Sequence, residues 1–178
     1  MIPEFSRTWR IDTLGPAPRQ VEIAADESER AALAERFGLV AIDRLDADAA
    51  LSRQGETVTA AGTVRAAVTQ SCVATEEPVP ETVEAPFRIE FRPQPGGGAP
   101  DEEIELGEAE LDVVFYDGAA VDLGEAVAET LSLSLDPYPR APGADEALRE
   151  AGVKDEEQAA RESSPFAALQ GLKDKLGK

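Results

Sequence analysis

Cys72 is the only thiol in this chain, and no histidine accompanies it. Without histidine the chain lacks the usual general base near neutral pH and the commonest metal ligand. One cysteine can form neither an intrachain disulfide nor a thiolate zinc cage. The plain expectation for Cys72 is a small apolar packing residue, with no metal and no cofactor. Carboxylates are the other groups able to do chemistry: 36 Asp and Glu stand against 17 Lys and Arg, a formal net charge of −19. A paired-carboxylate hydrolase acting on sugars needs a concave, aromatic-rich pocket, and aromatics make up only 5% of the chain. The glycine run in PQPGGGAP (Pro93 to Pro100) invites a phosphate-loop reading, but the Lys-Ser/Thr ending and the following helix are absent. A catalyst is therefore the least favoured class, and no enzyme is expected.

Charge points instead to the kind of partner. An acidic excess of this size opposes binding to a phosphate backbone, which draws its strength from Lys and Arg displacing counterions. It equally disfavours an anionic membrane and favours a basic partner. The opening MIPEFSRTWRID lacks the apolar stretch of a signal peptide, and no segment approaches the ~20 apolar residues of a membrane span. A soluble cytoplasmic protein is expected.

The elements that must position these groups follow from periodicity. Phe5, Trp9 and Ile11 alternate with Ser6, Thr8 and Arg10, and Val21 and Ile23 with Gln20 and Glu22. Two strands are expected, with a hairpin as one way of joining them. DESERAALAERFG carries a capping box at Asp26 and Glu29 and a left-handed stop at Gly38, which predicts a helix over Glu27–Phe37. A strand in Leu39 to Leu51 leads to TVTAAGTVRAAVTQ, the cleanest alternation in the chain and a half-buried antiparallel strand. Gly62 within it signals a bend or a close neighbour. In ETVEAPFRIEFRP, Val83, Ala85, Phe87, Ile89 and Phe91 face inward, and Pro86 is tolerable only at an edge or bulge. ELDVVFYDG reads as a strand with Leu111, Val113 and Phe115 on one face. A second capping box, Asp122 with Glu125, starts a helix over about Leu123–Thr130. From Leu131 to Leu135 the alternation predicts an extended segment.

Asp101 to Leu135 holds eleven acids and no Lys or Arg. Such a run is either a solvated surface or a partner surface. Ala141 to Ser163 is acidic and poor in large apolar residues; it reads as a tether, with a short helix at DEALREAG as the other reading. The chain closes on SPFAALQGLKDKLGK. Ser164 caps a short helix, Pro165 suits its first turn, and Phe166, Leu169, Leu172 and Leu176 fall along one side. Lys173, Lys175 and Lys178 suit the C-terminal end of its dipole. This helix either folds back on the domain or docks in a partner's groove.

The order of SCVATEEPVPETVEAPFRIEFRP, then VDLGEAVAETLSLSLDPYPRAPGA, then SPFAALQGLK resembles the YceD-like family, the large ribosomal RNA subunit accumulation proteins. The resemblance covers roughly Arg65 to Lys173. It implies a non-enzymatic factor supporting accumulation of large-subunit ribosomal RNA and ribosome assembly. Its partners would be a large-subunit precursor or a basic ribosomal protein, with direct RNA contact open. An acidic chaperone for a basic ribosomal protein is the alternative, ahead of a carboxylate-based hydrolase. Many family members carry further cysteines near the first one and beyond the stretch matching Pro137 to Pro142. This chain retains Cys72 alone, so no metal or redox role carries over. The expectation is an α+β domain over 1–143, a curved antiparallel β-sheet with two covering helices. An acidic flexible tether over 144–163 and a C-terminal amphipathic docking helix over 164–178 would follow. Phe166, Leu169 and Leu172 would anchor that helix on a partner, with Lys173 and Lys175 at the rim.

Overall fold

A computed structural model describes residues 3–94 and 112–153. Five strands form an open, curved sheet in the order β2 (Arg19–Ala24), β3 (Ala41–Gln54), β4 (Thr57–Ser71), β5 (Pro78–Pro93) and β6 (Asp112–Tyr116). A short ribbon pairs β1 (Thr8–Arg10) with β7 (Ala120–Asp122). Helices α1 (Glu27–Phe37) and α2 (Leu123–Ser134) contribute buried residues to the same core, and α3 (Ala144–Glu150) follows. The architecture is α+β with a curved, mostly antiparallel sheet.

The alternation in β4 sets the core. Val58, Ala60, Val64, Ala66 and Val68 are buried and meet Leu45, Leu51, Ile89 and Phe91 from the flanking strands. Leu33 of α1 and Leu123, Val127 and Leu131 of α2 close over them with no exposed surface. Gly62 pairs with Ala49 on β3 and Phe87 on β5. A Cβ there would overlap the Asp48 carbonyl oxygen and lie 2.8 Å from Ala49 Cα, so only glycine permits this approach. Pro86 sits opposite Thr63, while β6 pairs only with Ile89–Pro93. At Pro86, β5 therefore has a strand partner on one side only among the described residues, which is where a missing N–H is tolerable.

α1 forms as its sequence dictates. Asp26 accepts the Glu29 N–H at 2.9 Å, Glu29 accepts the Asp26 N–H at 2.8 Å, and Gly38 closes the helix at φ 66°.

Four local expectations are corrected. β1 and β2 form no hairpin: a 3-10 turn at Ile11–Thr13 buries Ile11, and β1 pairs with β7 while β2 pairs with β3. β6 runs parallel to β5. Its inward residues are Val114 and Tyr116, and Phe115 is 50% exposed. Leu131 to Ser134 is helical: Leu131 is buried in the core one turn after Val127, and the Thr130 and Ser134 hydroxyls are satisfied within the helix by carbonyls four residues back, at 2.8 and 2.7 Å. Glu125 does not complete a capping box; its carboxylate takes Arg36 at 2.8 Å instead.

Candidate functional site

The stretch from Val121 to Pro139 begins as a structural knot. Asp122 Oδ1 accepts the backbone N–H of Arg7 at 2.8 Å, of Gly124 at 3.0 Å and of Glu125 at 3.3 Å. Its Oδ2 accepts Ser6 Oγ at 2.5 Å. One side chain thus caps α2 and fastens the N-terminal segment. A Cβ on Gly124 would lie 2.6 Å from the Phe5 carbonyl oxygen and 2.8 Å from Arg7 N, so glycine lets this segment cross the helix start. Arg7 grips Glu29 of α1 through two bonds of 2.6 and 2.8 Å. That guanidinium is the main cause holding the Glu29 carboxyl below its ordinary value. Arg36 bridges Glu4 at 2.9 Å and Glu125 at 2.8 Å.

Past α2 the chain crosses the end of the sheet where β4 and its neighbours meet. Gln70, a buried polar side chain, donates to Glu81 at 2.8 Å and to the Asp136 carbonyl at 3.0 Å. The Asp136 N–H returns to Glu81 at 3.3 Å, and the Val73 N–H donates to the Pro139 carbonyl at 2.9 Å. Cys72 is 2% exposed and packs with Ala141 and Ala144. Its sulfur accepts the Ala141 N–H at 3.3 Å. That donor, with the Thr75 hydroxyl beside it, favours the thiolate and draws the thiol pKa down to about 7. The turn after Cys72 and the stretch after Pro142 are therefore neighbours. The second stretch offers Ala144 where the two meet, and no thiol. Among the described residues no three His, Cys, Asp or Glu side chains converge as a metal cage.

The sheet's outer face carries charge pairs. Arg65 donates to Asp48 at 2.5 Å and lies 3.6 Å from Glu84. A groove of about 450 Å³ is lined by Pro18, Thr57, Thr59, Ala61, Arg88 and Glu90, among others. It lacks aromatic walls and presents one carboxylate.

Phe166, Leu169, Leu172, Lys173 and Lys175 lie outside the described residues, as do residues 101–111 of the acidic run. Ala144–Glu150, at the start of the proposed tether, is the helix α3, and Ala144 is 2% exposed. Sequence reasoning missed Gln70 and the meeting of Cys72 with Ala141. The partners of these groups are 66 and 69 residues away, and no local pattern marks them.

Fold and surface together define a strongly acidic α+β protein in which Asp122, Arg7, Arg36, Gln70 and Glu81 cap and strap the fold. Its family is set by comparison. The family model described as "Large ribosomal RNA subunit accumulation protein YceD" matches residues 60–173, well over half of the chain. The chain belongs to this YceD family, whose description is that of an accumulation factor for large-subunit ribosomal RNA. The match runs from within β4 through four of the five C-terminal candidates, ending at Lys173. Comparison with curated proteins and with solved structures returns no match. No described helix is long and apolar enough to cross a membrane.

Proposed function

We propose that this protein is a non-enzymatic cytoplasmic factor that supports accumulation of large-subunit ribosomal RNA by contacting a protein or ribonucleoprotein during ribosome assembly. The family match over residues 60–173 carries this reading. The terminal segment supplies the contact, with Phe166, Leu169 and Leu172 as apolar anchors and Lys173 and Lys175 meeting acidic or phosphate groups at the rim. The match reaches into this segment as far as Lys173. The net charge of −19 favours a second reading, an acidic chaperone for one basic ribosomal protein.

Purification of the chain from its own cells, with RNA and protein both identified, tests these readings. Large-subunit precursors are expected with the chain. Capture of a single free basic protein without ribosomal RNA favours the chaperone. Recovery of neither overturns both. Phe166→Ala is expected to release the precursor, since a buried aromatic anchor is worth ~2 kcal/mol or more at an interface.

A further inference from the structure

Six large apolar side chains are exposed among the described residues, and four of them gather at one end of the sheet: Val40, Val73, Leu133 and Tyr138. The chain's connections place them there. The Val40 N–H donates to Thr69 near the end of β4. Val73 follows Cys72 directly after that strand, and its N–H meets the carbonyl of Pro139, next to Tyr138. Leu133 occupies the last turn of α2, just before Asp136, which is tied to Gln70 and Glu81. Leu133 is 83% exposed and Tyr138 72%. Neither serves the core, although the segment bearing them is held firmly by the bonds of Gln70, Glu81 and Val73.

The surroundings are negative. Glu76, Glu77 and Asp136 are exposed on the same segments. The adjacent cation Arg140 is already paired with Asp145 at 2.6 Å. α2 ends here with no basic residue in its last turn, so the partial negative charge of its terminal carbonyls has no cation of the helix's own opposite it. Apolar side chains on a rigid segment with an acidic rim fit an apolar-centred segment flanked by Lys or Arg, and repel a phosphate backbone.

We propose that this end of the sheet is a docking surface for a basic, apolar-centred segment of another protein, with Leu133 and Tyr138 as its anchors. It is distinct from the terminal segment invoked above and stands without it.

The full chain is titrated with a short helical peptide carrying leucines on one side and lysines on the other, followed by amide resonances and anisotropy. The control peptide has serine in place of leucine. The leucine peptide is expected to shift Val73, Leu133 and Tyr138 and to bind more tightly than the control. The double variant Leu133→Ser/Tyr138→Ser should bind about tenfold more weakly or worse, with unchanged melting because both side chains are exposed. Equal binding of the two peptides, or unchanged binding by the variant, overturns the proposal. It is also overturned if the variant abolishes a concentration-dependent dimer, which makes a second copy the occupant. Movement of the Phe166 and Leu169 resonances in the variant alone assigns the surface to the chain's own terminus, with the same result. So does a single-stranded oligonucleotide that displaces the peptide. Loss of precursor by Phe166→Ala with peptide binding intact leaves this surface standing, so the two readings fail separately.

Discussion

Removing one carboxylate should loosen the N-terminal half of the fold. In Asp122→Ala, α2 loses the cap on Gly124 and Glu125, and the Arg7 N–H loses its acceptor at 2.8 Å. A lost cap costs ~1 kcal/mol. A part-buried N–H left without a partner costs ~1–3 kcal/mol. The sum is about 2–4 kcal/mol, a large share of the ~5–15 kcal/mol typical of a domain. Asp122→Asn separates hydrogen bonding from charge. All three backbone N–H groups reach the same oxygen, Oδ1, which asparagine keeps. Oδ2 meets only Ser6 Oγ, a hydroxyl that can turn to accept from an amide. The asparagine variant should therefore lose less than ~1 kcal/mol, within the range of a single hydrogen bond. Urea unfolding followed by fluorescence of Trp9, the one tryptophan, reads both, since Trp9 lies in β1 opposite Val121. Equal losses for the two variants would show that charge, not the shared acceptor, holds the knot. An alanine variant within ~0.5 kcal/mol of the parent, as for an ordinary surface position, would refute the reasoning altogether.

Gly62→Ala forces β3 and β4 apart at mid-sheet and should cost ~3 kcal/mol or more as overpacking against backbone; a melting temperature equal to the parent's would refute the close approach. Glu4, Asp26 and Glu29 all have carboxyl pKa values below their ordinary 4.5, 3.8 and 4.5. Their contribution is full above those values and is lost as pH falls through the lowered ones, so melting temperature should drop below about pH 4.5 and drop less in Arg7→Ala; a flat profile in the parent would contradict this. The Cys72 thiolate absorbance should rise with a midpoint near pH 7; a midpoint at the ~8.5 of a free thiol would remove the Ala141 and Thr75 hydrogen bonds from the account.

What was legible in the sequence was local. The capping box of α1 spans four residues, so Asp26, Glu29 and Gly38 could be placed by inspection. The period of two in β4 runs from Val58 to Val68, because one face of that strand is buried at every other residue except Gly62. What was illegible depended on distant partners. β1 pairs with β7 across more than a hundred residues. The parallel run of β6 beside β5 turns Val114 and Tyr116 inward, against the alternation that favoured Val113 and Phe115. The repeated Leu-Ser pairs before Asp136 satisfy a strand and a helix equally well. The burial of Leu131 in the core, four residues after Val127, settles them as helix. The candidate residues Phe166 to Lys175 were chosen by the spacing of apolar side chains, a local pattern, and they lie outside the described residues.

The stretch from Val121 to Tyr138 divides into two halves with different duties. From Val121 to Leu131 nearly every side chain has structural work: Val121, Leu123, Val127 and Leu131 fill the core, Asp122 caps and ties, Gly124 admits the N-terminal segment, and Glu125 holds Arg36. From Ser132 to Tyr138 the backbone is fastened to Gln70 and Glu81, yet Leu133 and Tyr138 stand in solvent. Exposed apolar side chains gain nothing for folding. Holding their backbone in one place restrains them before any partner arrives, which lowers the ordering cost of binding. Substitutions in the first half should therefore change stability and those of Leu133 and Tyr138 should not, so a defect in ribosomal RNA accumulation with normal melting would map to these two side chains and the terminal segment.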